Sequence, residues 1–123
     1  MAHGAKYSNI KLASVIGSCN EDFVLFLMEK GADVNAPDVF GSLPLGKAVA
    51  LQGKCVSMKL IEQLITRGAD VNARNSGGHT ALYYALEKEK SDGRLVDLLI
   101  ENGADVNMLP QELRNKIPRY LER

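Results

Sequence analysis

Gly31-Ala32-Asp33-Val34-Asn35, Gly68-Ala69-Asp70-Val71-Asn72 and Gly103-Ala104-Asp105-Val106-Asn107 spell the same five residues, GADVN, three times. The copies start at residues 31, 68 and 103, at intervals of 37 and 35. Each follows an apolar stretch: FVLFLMEK, LIEQLITR and LVDLLIEN. Within these stretches Phe23, Phe26 and Leu27, then Leu60 and Leu64, then Leu95, Leu98 and Leu99 recur at the three- and four-residue spacing of one helix face. A glycine just past a helix takes the left-handed cap, because it has no Cβ to clash. The pattern therefore predicts three helices that end at Gly31, Gly68 and Gly103.

Upstream of each lies a shorter helical pattern, over Ile10–Gly17, Pro44–Gln52 and Ala81–Lys90. These segments carry small residues (Ala13, Ala48, Ala50, Ala81, Ala85) that let helices approach closely. Turn formers separate each GADVN from the next helix: Ala36-Pro37-Asp38-Val39-Phe40-Gly41-Ser42, and Ala73-Arg74-Asn75-Ser76-Gly77-Gly78-His79. Each unit thus reads as turn, helix, loop, helix, glycine stop. Self-similarity at this period signals stacked units that bury one continuous core.

The unit resembles the ankyrin repeat, whose usual length is about 33 residues, over roughly residues 10–107. The family's turn and TPLH signature is matched by D38-V-F-G-S-L-P-L45 and by N75-S-G-G-H-T-A-L82. Leu43 stands where the family prefers Thr, Gly46 and Tyr83 where it prefers His, and Ala81 where it prefers Pro. Thr and His there make turn hydrogen bonds, so the second unit is expected to be less rigid at its helix start. The extra residues of the longer units fall around Gly53–Ser57 and Glu87–Asp92, on the side away from the turns. The resemblance implies an all-α solenoid of stacked helix-loop-helix units with β-hairpin-like turns. Residues 1–107 make the repeats with an N-terminal cap over 1–9. Residues 108–123 make a C-terminal capping helix, with Pro110 in its first turn and Leu113, Ile117 and Leu121 on one face.

The five-residue word is then a structural joint. Its glycine caps the helix, its alanine sits where chains crowd, its valine tucks inward, and Asp and Asn hold the turn by side-chain to backbone bonds. Each word also has a Leu eight residues before its Asn (Leu27, Leu64, Leu99). This is similar to ankyrin sites whose asparagine is hydroxylated by a eukaryotic oxygenase, and Asn72 is the residue so implied.

Composition narrows the function. Lys plus Arg and Asp plus Glu are both 15, so the formal charge is zero and nothing attracts nucleic acid or anionic membranes in bulk. No apolar run approaches the roughly 20 residues that span a bilayer. The start, MAHGAKYSN, lacks a signal-peptide pattern. With no Trp and 6% aromatic residues, the core must be Leu, Ile, Val and Ala. Cys19 and Cys55 have no metal or redox spacing. Stacking is expected to leave them farther apart than the roughly 4.4–6.8 Å between Cα atoms that a disulfide needs, as buried or idle thiols in a cytoplasmic or nuclear setting.

His3 and His79 are the only histidines, and neither belongs to a nucleophile motif. Gly77-Gly78 does not match a phosphate loop. The tail cations Arg114, Lys116, Arg119 and Arg123 are diluted by Glu112 and Glu122 and read as a solvated helix face. The expectation is no catalysis, no cofactor and no metal. What the resemblance implies is a monomer that binds another protein through its hairpin tips and a concave face. The residues so mapped are Pro37, Val39, Phe40, Ser42 and Leu51 in the second unit, and Arg74, Ser76, His79, Glu87 and Lys88 in the third. Phe40 and Arg74 are expected side by side on successive tips. Two other readings follow from resemblance. LPQELRNKIPRYL is similar to F-box-like tails that follow ankyrin repeats in some viral proteins, which implies docking to a ubiquitin ligase. A fragment of a larger ankyrin protein, such as a bacterial effector secreted into host cytosol, is the other.

Overall fold

A computed structural model describes residues 10–87 and 93–117. Among the described residues seven α-helices follow in chain order: α1 Leu12–Ile16, α2 Glu21–Glu29, α3 Pro44–Leu51, α4 Met58–Thr66, α5 Ala81–Glu87, α6 Gly93–Glu101 and α7 Gln111–Arg114. A 3-10 turn, Val106–Met108, precedes α7. No strand occurs among the described residues, as the all-α reading requires. The helices alternate between an inner row, α1, α3 and α5, and an outer row, α2, α4 and α6. In the inner row α3 packs between α1 and α5, and each inner helix packs on the outer helix that follows it.

Local chemistry sets the helix limits. Asn20 and Ser57 accept at their side chains from the amides of Phe23 and Leu60, capping α2 and α4. Pro44 opens α3, where its missing N–H is no loss. Leu43 supplies no side-chain cap to α3, whereas Thr80 Oγ1 accepts from the Tyr83 amide at 3.3 Å at the start of α5. The second unit therefore lacks the hydroxyl bond that the third unit has.

The core is aliphatic, as composition demands. Leu12, Ile16, Leu27, Leu60, Ile61, Leu64, Leu82, Leu86, Leu95 and Leu99 are all nearly or fully buried. In the GADVN words Ala32, Ala69, Val34 and Val71 are buried, while Ala104 and Val106 in the third copy are half-buried. Past Pro110, Leu113 and Ile117 pack against the core, and Lys116 Nζ donates to the Leu86 carbonyl at 3.4 Å. The N-terminal cap expected over 1–9, residues 88–92 and the tail beyond 117 lie outside the described residues.

The joint works as expected at its glycine and differently at its asparagine. Gly31, Gly68 and Gly103 hold φ of 96°, 99° and 98°. A Cβ at Gly68 would meet nothing within 4 Å. The constraint is backbone conformation alone, so Gly68→Val is expected to lower the unfolding free energy by about 2 kcal/mol, read by urea denaturation. A loss under about 0.5 kcal/mol would show that the cap tolerates a side chain. The aspartate of each word does hold its own turn: Asp33, Asp70 and Asp105 accept from the amide two residues on, at 2.8, 2.9 and 2.9 Å. The asparagine instead reaches the next unit. Asn35 Nδ2 donates to the Gly68 carbonyl at 3.0 Å and Asn35 Oδ1 accepts from the Asp70 amide at 2.7 Å. Asn72 makes the same pair of bonds to Gly103 and Asp105, at 2.9 and 2.7 Å. The word is repeated because the asparagine of one copy bonds the glycine and aspartate of the next; the second copy, Gly68–Asn72, is both rung and socket.

The expected separation of the two cysteines is wrong. Cys19 and Cys55 form a disulfide, with Cα atoms 5.4 Å apart. They occupy the inner-to-outer helix connections of adjacent units. Those connections are drawn together beside the bond: Glu21 accepts from the amide and the hydroxyl of Ser57 at 2.9 and 2.8 Å. Cys19 is exposed and sits at φ 65°, and Cys55 is half-buried, so neither is a buried thiol.

Candidate functional site

The turns between units project as two tips of the same construction. In the first, Asp38 Oδ1 accepts from the amides of Phe40 and Ser42, both at 2.9 Å. In the second, Asn75 Oδ1 accepts from the amides of Gly77 and His79 at 2.9 and 3.0 Å. One short acceptor thus fixes each tip, a use that Asp and Asn share. Residues 38, 40 and 42 correspond to 75, 77 and 79.

The tips are tied to each other. Ser76 donates from its amide to the Gly41 carbonyl at 3.2 Å and from its hydroxyl to the Phe40 carbonyl at 3.0 Å. A Cβ on Gly41 would lie 2.5 Å from Ser76 Cβ, and Gly41 has φ +80°. Both the approach and the conformation require glycine there. In this register Phe40 corresponds to Gly77. The residue that meets the first tip is Ser76, and Arg74, three positions out of step, corresponds to Pro37. Arg74 is exposed.

Held this way, the first tip presents Val39 and Phe40 to solvent, at 84% and 79% exposure. Ser42 and Leu51 are half-buried, and Leu51 packs on the core. His79 is half-buried, stacks on Tyr83 with ring centroids 3.9 Å apart, and meets Tyr84 edge-on at 5.8 Å. Asn75 Nδ2 donates to the Tyr84 hydroxyl at 2.6 Å. Glu87 is exposed at the end of α5. Its hydrogen bond to Tyr83, with burial and its charge, raises the Tyr83 phenol above its ordinary value. Lys88 lies outside the described residues. Asn72 has both side-chain polar atoms engaged in the ladder.

Sequence reasoning missed two features here. A cavity of about 220 Å³ opens beside the tips, between α3 and α5, against Leu43, Gly46, Ala50, Ala73 and Tyr84. Its signal was present, because Gly46 replaces a large residue. The other is on α2, where Phe23 and Phe26 are 45% and 43% exposed and stacked 6.3 Å apart, with Lys30 Nζ 5.6 Å from the Phe26 ring. On the outer helices a second cavity of about 290 Å³ lies among Met58, Glu62, Arg94, Asp97, Leu98 and Glu101. Among the described residues no group of three His, Cys, Asp or Glu could hold a metal ion. No described helix is long and apolar enough to cross a membrane.

Comparison with known proteins identifies the repeated units by sequence. A family model described as ankyrin repeats (3 copies) matches residues 11–109. Human ankyrin repeat and SOCS box protein 6 is 39% identical over 92 residues, 69% of this chain and 21% of that protein. The mouse B-cell lymphoma 3 protein homolog is 37% identical over 86 residues, 69% of this chain and 18% of that protein. An ankyrin repeat protein of fowlpox virus is 32% identical over 93 residues, 75% of this chain and 47% of that protein. The chain thus spans about a fifth of the first two relatives and about half of the third.

Proposed function

The chain belongs to the ankyrin repeat family, whose repeats serve as protein-protein interaction modules, and we propose that it acts without catalysis as a small adaptor or inhibitor holding one partner protein along its tips and inner-helix side. The observation that carries this reading is the first tip. Among the described residues Val39 and Phe40 are the most exposed large hydrophobic side chains, and the backbone beneath them is fixed by Asp38 and Ser76. An apolar pair on a rigid support suits an interface anchor, because little ordering entropy is lost on binding. Ser42, Leu51, Arg74, Ser76, His79 and Glu87 extend the proposed contact surface around it.

The test begins with partners selected against the wild-type chain from a displayed library. Val39→Ser with Phe40→Ala is expected to weaken such a partner by about 2 kcal/mol, roughly thirtyfold, measured by calorimetry. Folding should survive, since both side chains stand in solvent. Lys54→Ala, in the connection on the other side, is the control and should leave affinity unchanged. Loss of binding in the control with none in the tip variant would move the site to the inter-helix connections.

A tail that docks a ubiquitin ligase finds less support. Leu113 and Ile117 are already packed on the core, which favours a closing cap for the described part of that segment.

A further inference from the structure

The cavity at Gly46 is a binding pocket for a single side chain, and we infer that its occupant is a neutral aliphatic or aromatic side chain carried on an extended segment of a partner protein. The inference rests on the protein-binding reading above and names what one part of that surface recognises.

The pocket exists because α3 lacks a side chain at its third position. The corresponding residue in α5 is Tyr83, whose ring stacks on His79. A Cβ built on Gly46 would lie 3.7 Å from Cδ2 and Cε2 of Tyr84, an ordinary contact. No steric rule therefore demands glycine here, and its φ is not in the left-handed region. Glycine in a helix costs roughly 0.5–1 kcal/mol against alanine. The missing side chain leaves open space against the Tyr84 ring.

Size and chemistry select the occupant. An apolar cavity of about 150 Å³ accommodates benzene, so about 220 Å³ has room for one branched or six-membered side chain. It is smaller than the roughly 300–1,000 Å³ of sites that engulf whole small molecules. Leu43, Leu45, Ala50, Ala73 and the Tyr84 ring line it with carbon. Lys47 and Asp70 also line it with opposite charges, which gives no preference for a charged guest, and a charge would lose its hydration. The Tyr84 hydroxyl oxygen already accepts from Asn75, and its O–H can donate to a carbonyl beside the guest side chain. The Ser42 hydroxyl and the His79 imidazole, both half-buried in the lining, make no side-chain hydrogen bond among the described residues and can pair with the backbone on either side of a guest side chain. The pocket also adjoins the first tip through Ser42 and Leu43, so one extended segment can reach both Phe40 and the pocket.

The experiment titrates the full chain with N-acetyl-leucinamide, N-acetyl-phenylalaninamide and, as charged control, N-acetyl-lysinamide, followed by amide chemical shifts. The apolar amides should give saturable shifts confined to residues 42–50 and 73–84, and the lysinamide should bind at least about tenfold more weakly. Gly46→Leu fills the space and should abolish those shifts while the thermal midpoint stays within a few degrees. Ala50→Met, entering from another wall, should do the same if Gly46→Leu fails to fold. Absence of saturable shifts, shifts that persist in a folded filled variant, or shifts at Met58 and Leu98 instead would overturn the inference. A displayed partner that needs Phe40 yet ignores the filled pocket would overturn it too and leave the protein-binding reading standing. Failure to obtain any partner would fall on that reading instead.

Discussion

Reduction of the Cys19–Cys55 bond lowers the unfolding free energy by about 3–4 kcal/mol. The two residues are 36 apart in sequence, so the bond removes a loop of that length from the freedom of the unfolded chain. Loop-closure entropy for about 36 residues sets the magnitude. Against the roughly 5–15 kcal/mol that holds a domain folded, this is a large share. The folded state is not undone with it. The Glu21–Ser57 bonds, the Asn35 ladder and the packing of α1 on α3 still join the first two units. Urea denaturation with and without a thiol reductant, repeated on Cys19→Ser with Cys55→Ser, measures the difference. The double variant should match the reduced protein and ignore the reductant. A difference below about 1 kcal/mol would mean that the unfolded chain stays compact without the bond.

Leu60→Ala lowers the unfolding free energy by about 2–5 kcal/mol, and Phe23→Ala, at the corresponding position of α2, by under about 1 kcal/mol. The two residues stand eight before their respective glycines, as does Leu95. Leu60 and Leu95 are 1% and 0% exposed, whereas Phe23 is 45% exposed. The difference lies in what stands on the side of each helix that faces the preceding unit. Arg67 shows that this side of α4 meets the first unit, because its guanidinium donates to the Met28 carbonyl at 3.3 Å. Among the described residues no unit stands in that place for α2. Burial, and not residue size, therefore sets the cost of truncation. Thermal or urea unfolding of both variants decides it. Equal losses at the two positions would show that Phe23 is covered.

Much of this was legible in the sequence because repetition averages out local noise. Three glycines at matching places, each after an apolar helix face, mark the helix stops, which fall two residues before 31, 68 and 103. Pro44 marked the start of α3. Legibility failed where contacts run between units. Asn35 and Asn72 look like turn residues, since a side chain that bonds its own loop and one that bonds the next loop have the same local sequence. Cys19 and Cys55 could not be paired from spacing, because the distance between two connections depends on how the connections bend, and Cys19 turns through a left-handed conformation. Turn residues place the tips in the chain, but proximity to the turn does not tell which residues of the two tips correspond. The true register follows from the acceptors Asp38 and Asn75. The pocket at Gly46 is the absence of a side chain, which a pattern search for chemical groups passes over.

The proposed function has this chain bind a protein with its tips and inner helices. Hydrogen exchange of the chain, alone and saturated with a displayed partner, tests it most directly. Protection is predicted at residues 38–50 and 73–84, with α2, α4 and α6 exchanging as in the free protein. Protection confined to those outer helices, with the tips unchanged, would contradict it.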